Sequence, residues 1–219
     1  MLDLLEKAES LLINDRLLYS LDGWNSLHIN YEYPIVNRLW RPWGKNRLYL
    51  HKIFPLPTHE DIQPPVKPFF HNHPWPASFK VISGKQKLFM GEKYSDIEDA
   101  QCLILGPGSC YEMLEKDQVH SVSPVEGPSL SIMVSGPVWK DQIPSCPPPG
   151  KLEPLSLVMA DELLYECRKA ILKTVTEITI KTDHLHNDKE LKNIKDMFNL
   201  LDIEPTFIRY ESGNEKFNE

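Results

Sequence analysis

The stretch FFHNHPWPASFKVISG at residues 69–84 carries the pattern on which the fold prediction rests. Its second half, SFKVIS, is rich in aromatic and branched residues and ends at Ser83-Gly84, as expected for a β-strand followed by a turn. Similar short segments lie on both sides of it. They are RLYLHKIF (47–54), KLFMGE (87–92), CLILG (102–106), CYEML (110–114), VHSV (119–122) and SLSIMVSG (129–136). Many short strands without helices between them predict an antiparallel sandwich or barrel.

Turn signals separate these segments, and helical periodicity flanks them. The turn signals are Ser83-Gly84, Gly106-Pro107-Gly108, Glu115-Lys116-Asp117 and Gly127-Pro128. Leucines at three-to-four spacing predict an amphipathic helix near the N-terminus, and the same spacing at 159–178 and 188–201 predicts a C-terminal helical pair. The proline run at 146–150 marks a boundary. The sequence thus predicts an N-terminal helix in residues 1–25, a β-barrel in 26–150 and a helical appendage in 151–219.

Composition narrows the class of protein and its partners. The chain has 219 residues, 41% of them hydrophobic, which is enough for a core and argues against disorder. Its formal net charge of −7 disfavours binding to nucleic acid or an anionic membrane, because phosphate binding uses clustered Lys and Arg. The N-terminal region lacks the basic-then-apolar layout of a signal peptide. The four cysteines have no metal or redox spacing, so we expect reduced thiols and a cytoplasmic location.

Three histidines form the candidate metal site. His71 and His73 are two residues apart, and residues i and i+2 of a strand point to the same face. Their imidazoles would therefore converge, and imidazole suits Zn, Cu, Fe and Ni. A third ligand must come from a neighbouring strand, and His120 in VHSV is the candidate. An isolated H-x-H pair is also common at protein surfaces, but these histidines lie among aromatic residues and prolines, where unpaired imidazoles need partners.

The histidines and glycines of this region resemble the two motifs of the cupin superfamily. His71, His73 and Gly84 match the two histidines and the closing glycine of the first motif, G-x5-H-x-H-x3-4-E-x6-G. Pro107-Gly108 and His120 match the second motif, G-x5-P-x-G-x2-H-x3-N, more loosely. The H-x-H-P-W run is also similar to that of an uncharacterised bacterial cupin group. This resemblance covers about residues 45–140. It implies an antiparallel double-stranded β-helix barrel with room for one small ligand, and, since cupins often dimerise, a homodimer.

One departure from the first cupin motif changes the expected ligand set. The position of the motif's glutamate is occupied by Ala77, which leaves a three-histidine face similar to that of the cysteine dioxygenase branch. This resemblance implies a divalent metal, Fe(II) first, with Zn, Ni and Mn also acceptable. It implies a non-haem Fe(II) dioxygenase of a small polar molecule, such as a thiol or an amino-acid derivative. Two alternatives stay open: a non-oxidative cupin that binds a metal or small ligand, and an interaction module that uses the helical appendage.

Three residues of the 47–54 strand are the candidate catalytic residues. Arg47, Tyr49 and His51 lie on one face of a strand with period two. In thiol dioxygenases an arginine clamps the substrate carboxylate, so the resemblance implies this role for Arg47, with Tyr49 and His51 nearby. Arg47 could equally be a surface charge at a strand end. His51 and Glu112 are both candidates for a fourth metal ligand, and His51 could also be an ordinary core histidine.

Overall fold

The computed structural model describes residues 1–14, 17–30, 34–55, 69–139 and 152–180. These residues form two α-helices and eight β-strands. The helices are α1 (Leu2–Asn14) and α2 (Leu157–Ile180). The strands are β1 (Asn25–Asn30), β2 (Ile35–Trp43), β3 (Asn46–Phe54), β4 (Ala77–Gly91), β5 (Gln101–Leu105), β6 (Cys110–Met113), β7 (Val119–Ser135) and β8 (Leu152–Glu153).

The strands form one antiparallel sheet. Its order is β5-β4-β7-β3-β2-β1-β8, and β6 pairs with β4 outside this path. The predicted mainly-β, antiparallel class is confirmed, as are the N-terminal helix and the helix predicted at 159–178. The helix predicted at 188–201 and the boundary predicted at 146–150 lie outside the described residues.

A long ribbon of β4 and β7 forms the middle of the sheet. The turns predicted at Ser83-Gly84 and Gly127-Pro128 are wrong, because each lies inside a continuous strand. The two strands pair from Ala77 opposite Ser135 to Gly91 opposite Val119, with register shifts around residue 83. These bulges absorb the extra residues and bend the ribbon without ending it. The strands β1 and β2, which the sequence patterns did not predict, extend the sheet beyond β3.

Helix α1 packs on the outer side of this sheet. Its buried residues, Leu5, Ala8 and Leu12, recur at three-to-four spacing and form its apolar face. The helix contacts β4, β6 and β7. Lys80 of β4 lies 2.6 Å from a carboxylate oxygen of Glu9, so the polar rim of the helix is also tied to the sheet.

The chain divides into two compact units, Met1–Arg168 and Lys169–Glu219. All of the strands and the first half of α2 belong to the first unit. Within it, Lys52 of β3 forms an ion pair of 2.6 Å with Glu166 of α2. The described helices include none that is long and apolar enough to cross a membrane.

We expect Gly84→Ala to lower the free energy of unfolding by about 1–3 kcal/mol. Gly84 has a φ of +72°, and an added Cβ would lie 2.7 Å from the carbonyl oxygen of Pro128. The alanine would therefore strain the bulge that bends the ribbon. Urea denaturation measures the effect. The matched control is Gly106→Ala, since a Cβ on Gly106 would meet nothing within 4 Å. An equal loss in both variants would contradict the role of Gly84.

Candidate metal centre

A backbone pairing brings the first and third predicted ligands together. His71 and His120 form an antiparallel bridge, in which each backbone N–H donates to the other's carbonyl at 2.9 Å. Directly opposite residues of such a pair project their side chains to the same face. His71 makes only this bridge and is not part of a strand, which differs from the strand expected for the H-x-H segment. His73 is two residues further along and reaches the same point.

The three Nε2 atoms converge around His120. The Nε2 of His120 lies 3.0 Å from the Nε2 of His71 and 3.0 Å from that of His73. One candidate ligand atom from each histidine lies within 4.8 Å of the others. A neutral imidazole nitrogen either donates one proton or accepts along one lone pair. The Nε2 of His120 therefore cannot satisfy both neighbours by hydrogen bonding.

A single cation would satisfy all three nitrogens. Imidazole nitrogens bind divalent zinc at about 2.1 Å, and two such donors at a right angle are separated by about 3.0 Å. This is the separation that both His120 contacts have. His120 and each of its two neighbours therefore have a donor separation that suits adjacent positions around one metal ion.

Burial keeps the three imidazoles neutral. Desolvation lowers the pKa of His71 from 6.5 to about 4, and a backbone hydrogen bond with Phe69 partly opposes this effect. The pKa values of His73 and His120 lie well below the ordinary value, first through desolvation and then through the neighbouring histidines. A neutral imidazole has a free lone pair for a metal. At neutral pH the site therefore needs no deprotonation before a cation binds.

A cavity of about 60 Å³ adjoins the three histidines. A buried water needs roughly 10–15 Å³ of such space, so the cavity accepts about four water-sized groups. Its polar lining consists of Arg38, His51, His71, His73, Gln86, Tyr111, His120 and Ser131. Among the described residues that line it there is no Asp or Glu, and Arg38 is the only permanent cation.

Arg38 and His51 form a pair in the cavity wall. They lie opposite each other on β2 and β3, and Nε of Arg38 donates to Nε2 of His51 at 2.8 Å. The guanidinium also lies over the ring of Tyr49, 5.5 Å from its centroid. Burial, followed by the charge of Arg38, holds the pKa of His51 well below its ordinary value. In this arrangement the Nε2 lone pair of His51 binds Arg38, so His51 lines the cavity beside the three-histidine group.

The other residues predicted for the site lie elsewhere. Arg47 is exposed, and its guanidinium lies over the rings of Trp40 and Trp75 at 5.3 and 5.8 Å. Tyr49 is buried, but neither it nor Arg47 lines the cavity. Glu112, a candidate fourth ligand, has Oε1 at 2.9 Å from the Met1 ammonium group and is also absent from the cavity wall.

Four polar residues of the cavity wall were absent from the predicted site, namely Arg38, Gln86, Tyr111 and Ser131. Arg38 lies in IVNRLWRPW, where the buried residues Val36 and Leu39 mark a strand that the patterns did not identify. Tyr111 lies in a predicted strand, and its hydroxyl is 3.3 Å from Nδ1 of His120. Burial raises the pKa of the Tyr111 hydroxyl, so this group is neutral. A strand assignment at 35–43, combined with period two, could have found Arg38.

Comparisons with known proteins found only partial matches. No protein-family model matches the chain, and a search of curated proteins found no match. The iron(II) form of HppE is 17% identical in sequence. The alignment covers 53% of this chain and 57% of the HppE chain, with a TM-score of 0.40. The hydroxypropylphosphonic acid epoxidase from S. wedmorenis is 17% identical in sequence, with 53% of this chain and 56% of that chain aligned and a TM-score of 0.40. A structure from the study of the DMSP lyases RdDddP and RnDddQII is 14% identical in sequence, with 51% of this chain and 52% of that chain aligned and a TM-score of 0.37. The chain therefore aligns with little more than half the length of these proteins.

The metal-free protein should lose stability as the pH falls from about 6.5 toward 4. The unfolded chain takes up protons on its histidines near pH 6.5, whereas the folded chain keeps His71 neutral down to about pH 4. The unfolded state then binds more protons, so acid favours it. Urea denaturation with a chelator at pH 7, 6 and 5 measures this loss. His73→Gln should flatten the dependence, because it removes one of the buried imidazoles whose pKa is lowered. A free energy of unfolding that stays constant from pH 7 to 5 would contradict the prediction.

Proposed function

We propose that the chain is a metal-dependent cupin in which His71, His73 and His120 hold one divalent ion. We further propose that this ion is Fe(II) and that the protein is a non-haem dioxygenase of a small anionic molecule, such as a thiol or an amino-acid derivative. The main evidence for the metal site is that the Nε2 atoms of His71 and His73 each lie 3.0 Å from the Nε2 atom of His120.

The ligand set supports a three-histidine centre without a carboxylate. Ala77, at the position of the glutamate in the cupin motif, is fully buried in an apolar cluster with Phe79 and Met113. No described Asp or Glu lines the cavity to replace it. His71, His73 and His120 would hold a divalent ion without neutralising its charge, and such an ion would supply a binding site for a small anion and the activation of dioxygen.

The charge and size of the cavity support a small anionic substrate. The Arg38 guanidinium adds a permanent positive charge to that of the metal, and its planar fork suits a carboxylate. Arg38 thereby takes the role that the resemblance implied for Arg47. The volume of about 60 Å³ limits the substrate to a few non-hydrogen atoms unless side chains move.

The protonation states of the cavity favour chemistry that the metal supplies. General acid–base catalysis works best with a group whose pKa lies near the operating pH. The hydroxyl of Tyr111 has a raised pKa, and the imidazole of His51 has a lowered pKa and is bound by Arg38. The described cavity wall contains no carboxylate that could act instead. This supports oxygenation over elimination or hydrolysis by protein acids and bases.

We also propose that the protein is cytoplasmic and forms a homodimer. Of the described cysteines, Cys102, Cys110 and Cys167 are free thiols, as expected in a reducing compartment. Burial raises the pKa of the Cys167 thiol, which makes that group unreactive. The dimer rests on the cupin resemblance alone, and analytical ultracentrifugation of the full chain tests it.

Purified protein loaded anaerobically with iron should bind stoichiometric Fe(II), and His120→Ala should abolish this binding because it removes the central ligand. Elemental analysis measures the metal, and an oxygen electrode measures uptake with a panel of small thiols. The control is His28→Ala, since His28 binds Asn37 at 2.8 Å outside the cavity. Absence of stoichiometric metal in the wild type would defeat the metal site. Metal binding without oxygen uptake on any substrate would instead favour the non-oxidative cupin.

With an active substrate in hand, Arg38→Gln should raise KM about tenfold or more, because a charge-assisted hydrogen bond to a carboxylate contributes about 1.5–3 kcal/mol. Steady-state oxygen uptake against substrate concentration measures KM. Arg41→Gln is the control, since Arg41 lies over Trp24 away from the cavity. A large rise in KM for Arg47→Gln, with Arg38→Gln unchanged, would return the clamp to Arg47.

A further inference from the structure

We propose that Tyr111 is the positioning residue of the metal centre. It accepts a hydrogen bond from His120 and so aims the Nε2 lone pair of His120 at the ion. In the same arrangement it presents its own hydroxyl proton to the ligand in the cavity. This inference rests on the proposed metal site and adds a residue that sets both metal affinity and ligand orientation.

The role of Tyr111 follows from the central place of His120. The Nε2 of His120 contacts both other candidate ligands at 3.0 Å, and its Nδ1 lies 3.3 Å from the Tyr111 hydroxyl oxygen. A neutral imidazole carries one proton, and a nitrogen that binds a cation cannot hold it. Metal at Nε2 therefore places the proton on Nδ1, which donates to Tyr111.

The hydroxyl of Tyr111 must then donate elsewhere. Its oxygen accepts the proton of His120 on one side, and its own hydrogen can no longer point at Nδ1. Tyr111 lines the cavity, so the hydrogen can reach an acceptor atom of a bound ligand. The cavity thus gains a neutral donor when metal is present, beside the charged donor Arg38. An anion with two separate acceptor groups fits this pair.

Packing restricts the ring of Tyr111 to this orientation. Tyr111 and Phe79 are directly opposite on β6 and β4, and their rings stack at 4.5 Å with an interplanar angle of 6°. The centroid of the Phe79 ring also lies 5.4 Å from the ring centroid of His120 and 5.6 Å from that of His73. One apolar ring therefore touches the tyrosine and two candidate ligands. Because these groups are packed together, the hydroxyl is held near Nδ1 of His120.

The test is Tyr111→Phe, which deletes the hydroxyl and keeps the ring and its stacking on Phe79. Loss of such a hydrogen bond to a metal-ligating histidine lowers metal affinity about 10- to 100-fold. We expect a loss of about tenfold or more in Zn(II) affinity, measured by competition with a chromophoric chelator. The matched control is Tyr49→Phe, since Tyr49 is another buried tyrosine, and no described residue hydrogen-bonds its hydroxyl. Its Zn(II) affinity should stay within about twofold of the wild type.

A second measurement separates positioning from a general structural effect. In protein labelled with ¹⁵N-histidine and loaded with Zn(II), NMR should show the proton of His120 on Nδ1 and a shift of that proton in Tyr111→Phe. The metal-free variant should still unfold in a single cooperative urea transition, so that its loss of Zn(II) affinity reports on the site and not on a loss of the fold.

Three results would overturn the inference. Unchanged Zn(II) affinity in Tyr111→Phe removes the role of Tyr111 and leaves the metal site standing. A proton on Nε2 of His120 in the Zn(II)-loaded wild type has the same consequence. A wild type that binds no Zn(II) or Fe(II) overturns the inference together with the proposed function.

Discussion

Two backbone hydrogen bonds between His71 and His120 are the interaction on which the rest of the site depends. They join residues 49 positions apart and place both imidazoles on one face of the sheet. The geometry of these two donors is therefore a property of backbone pairing. His73, two residues further along, has its Nε2 at 3.0 Å from that of His120. This explains how a site can be defined by three side chains with no carboxylate among them.

Burial determines the chemistry of these side chains as much as their positions do. The same desolvation that lowers the histidine pKa values would make a vacant lone pair costly. A cation removes that cost, and Arg38 adds a positive charge that neither the histidines nor a nearby carboxylate offsets in the described cavity wall. The proposed site would therefore favour anions, and a neutral ligand would gain less from it. Tyr111 adds a donor that carries no charge, so it can align a ligand without changing this preference.

The sequence predicted the fold class and the three histidines but not the full cavity wall. The H-x-H pair and His120 were recognisable from the cupin motifs that they resemble, although the strand expected for the H-x-H segment is not present. The continuity of β4 and β7 was not, since glycine and proline at residues 84 and 127–128 are local turn signals that only the register of the partner strand overrides. Arg38 was missed for a related reason: its strand contains a proline and two tryptophans, and its burial depends on pairing with β3.

The length of the β4–β7 ribbon has a consequence for the order of folding. Ala77 pairs with Ser135, and His71 pairs with His120 at the other end of β7, so these contacts join residues 58 and 49 positions apart. Closing such loops costs chain entropy before the contacts can repay it, and proteins rich in distant pairings fold slowly. We therefore expect the three imidazoles to come together late in folding, after the more local pairings of the sheet have formed. A metal ion would consequently bind late in folding. It would stabilise a sheet that has already formed and would not be needed to start its formation.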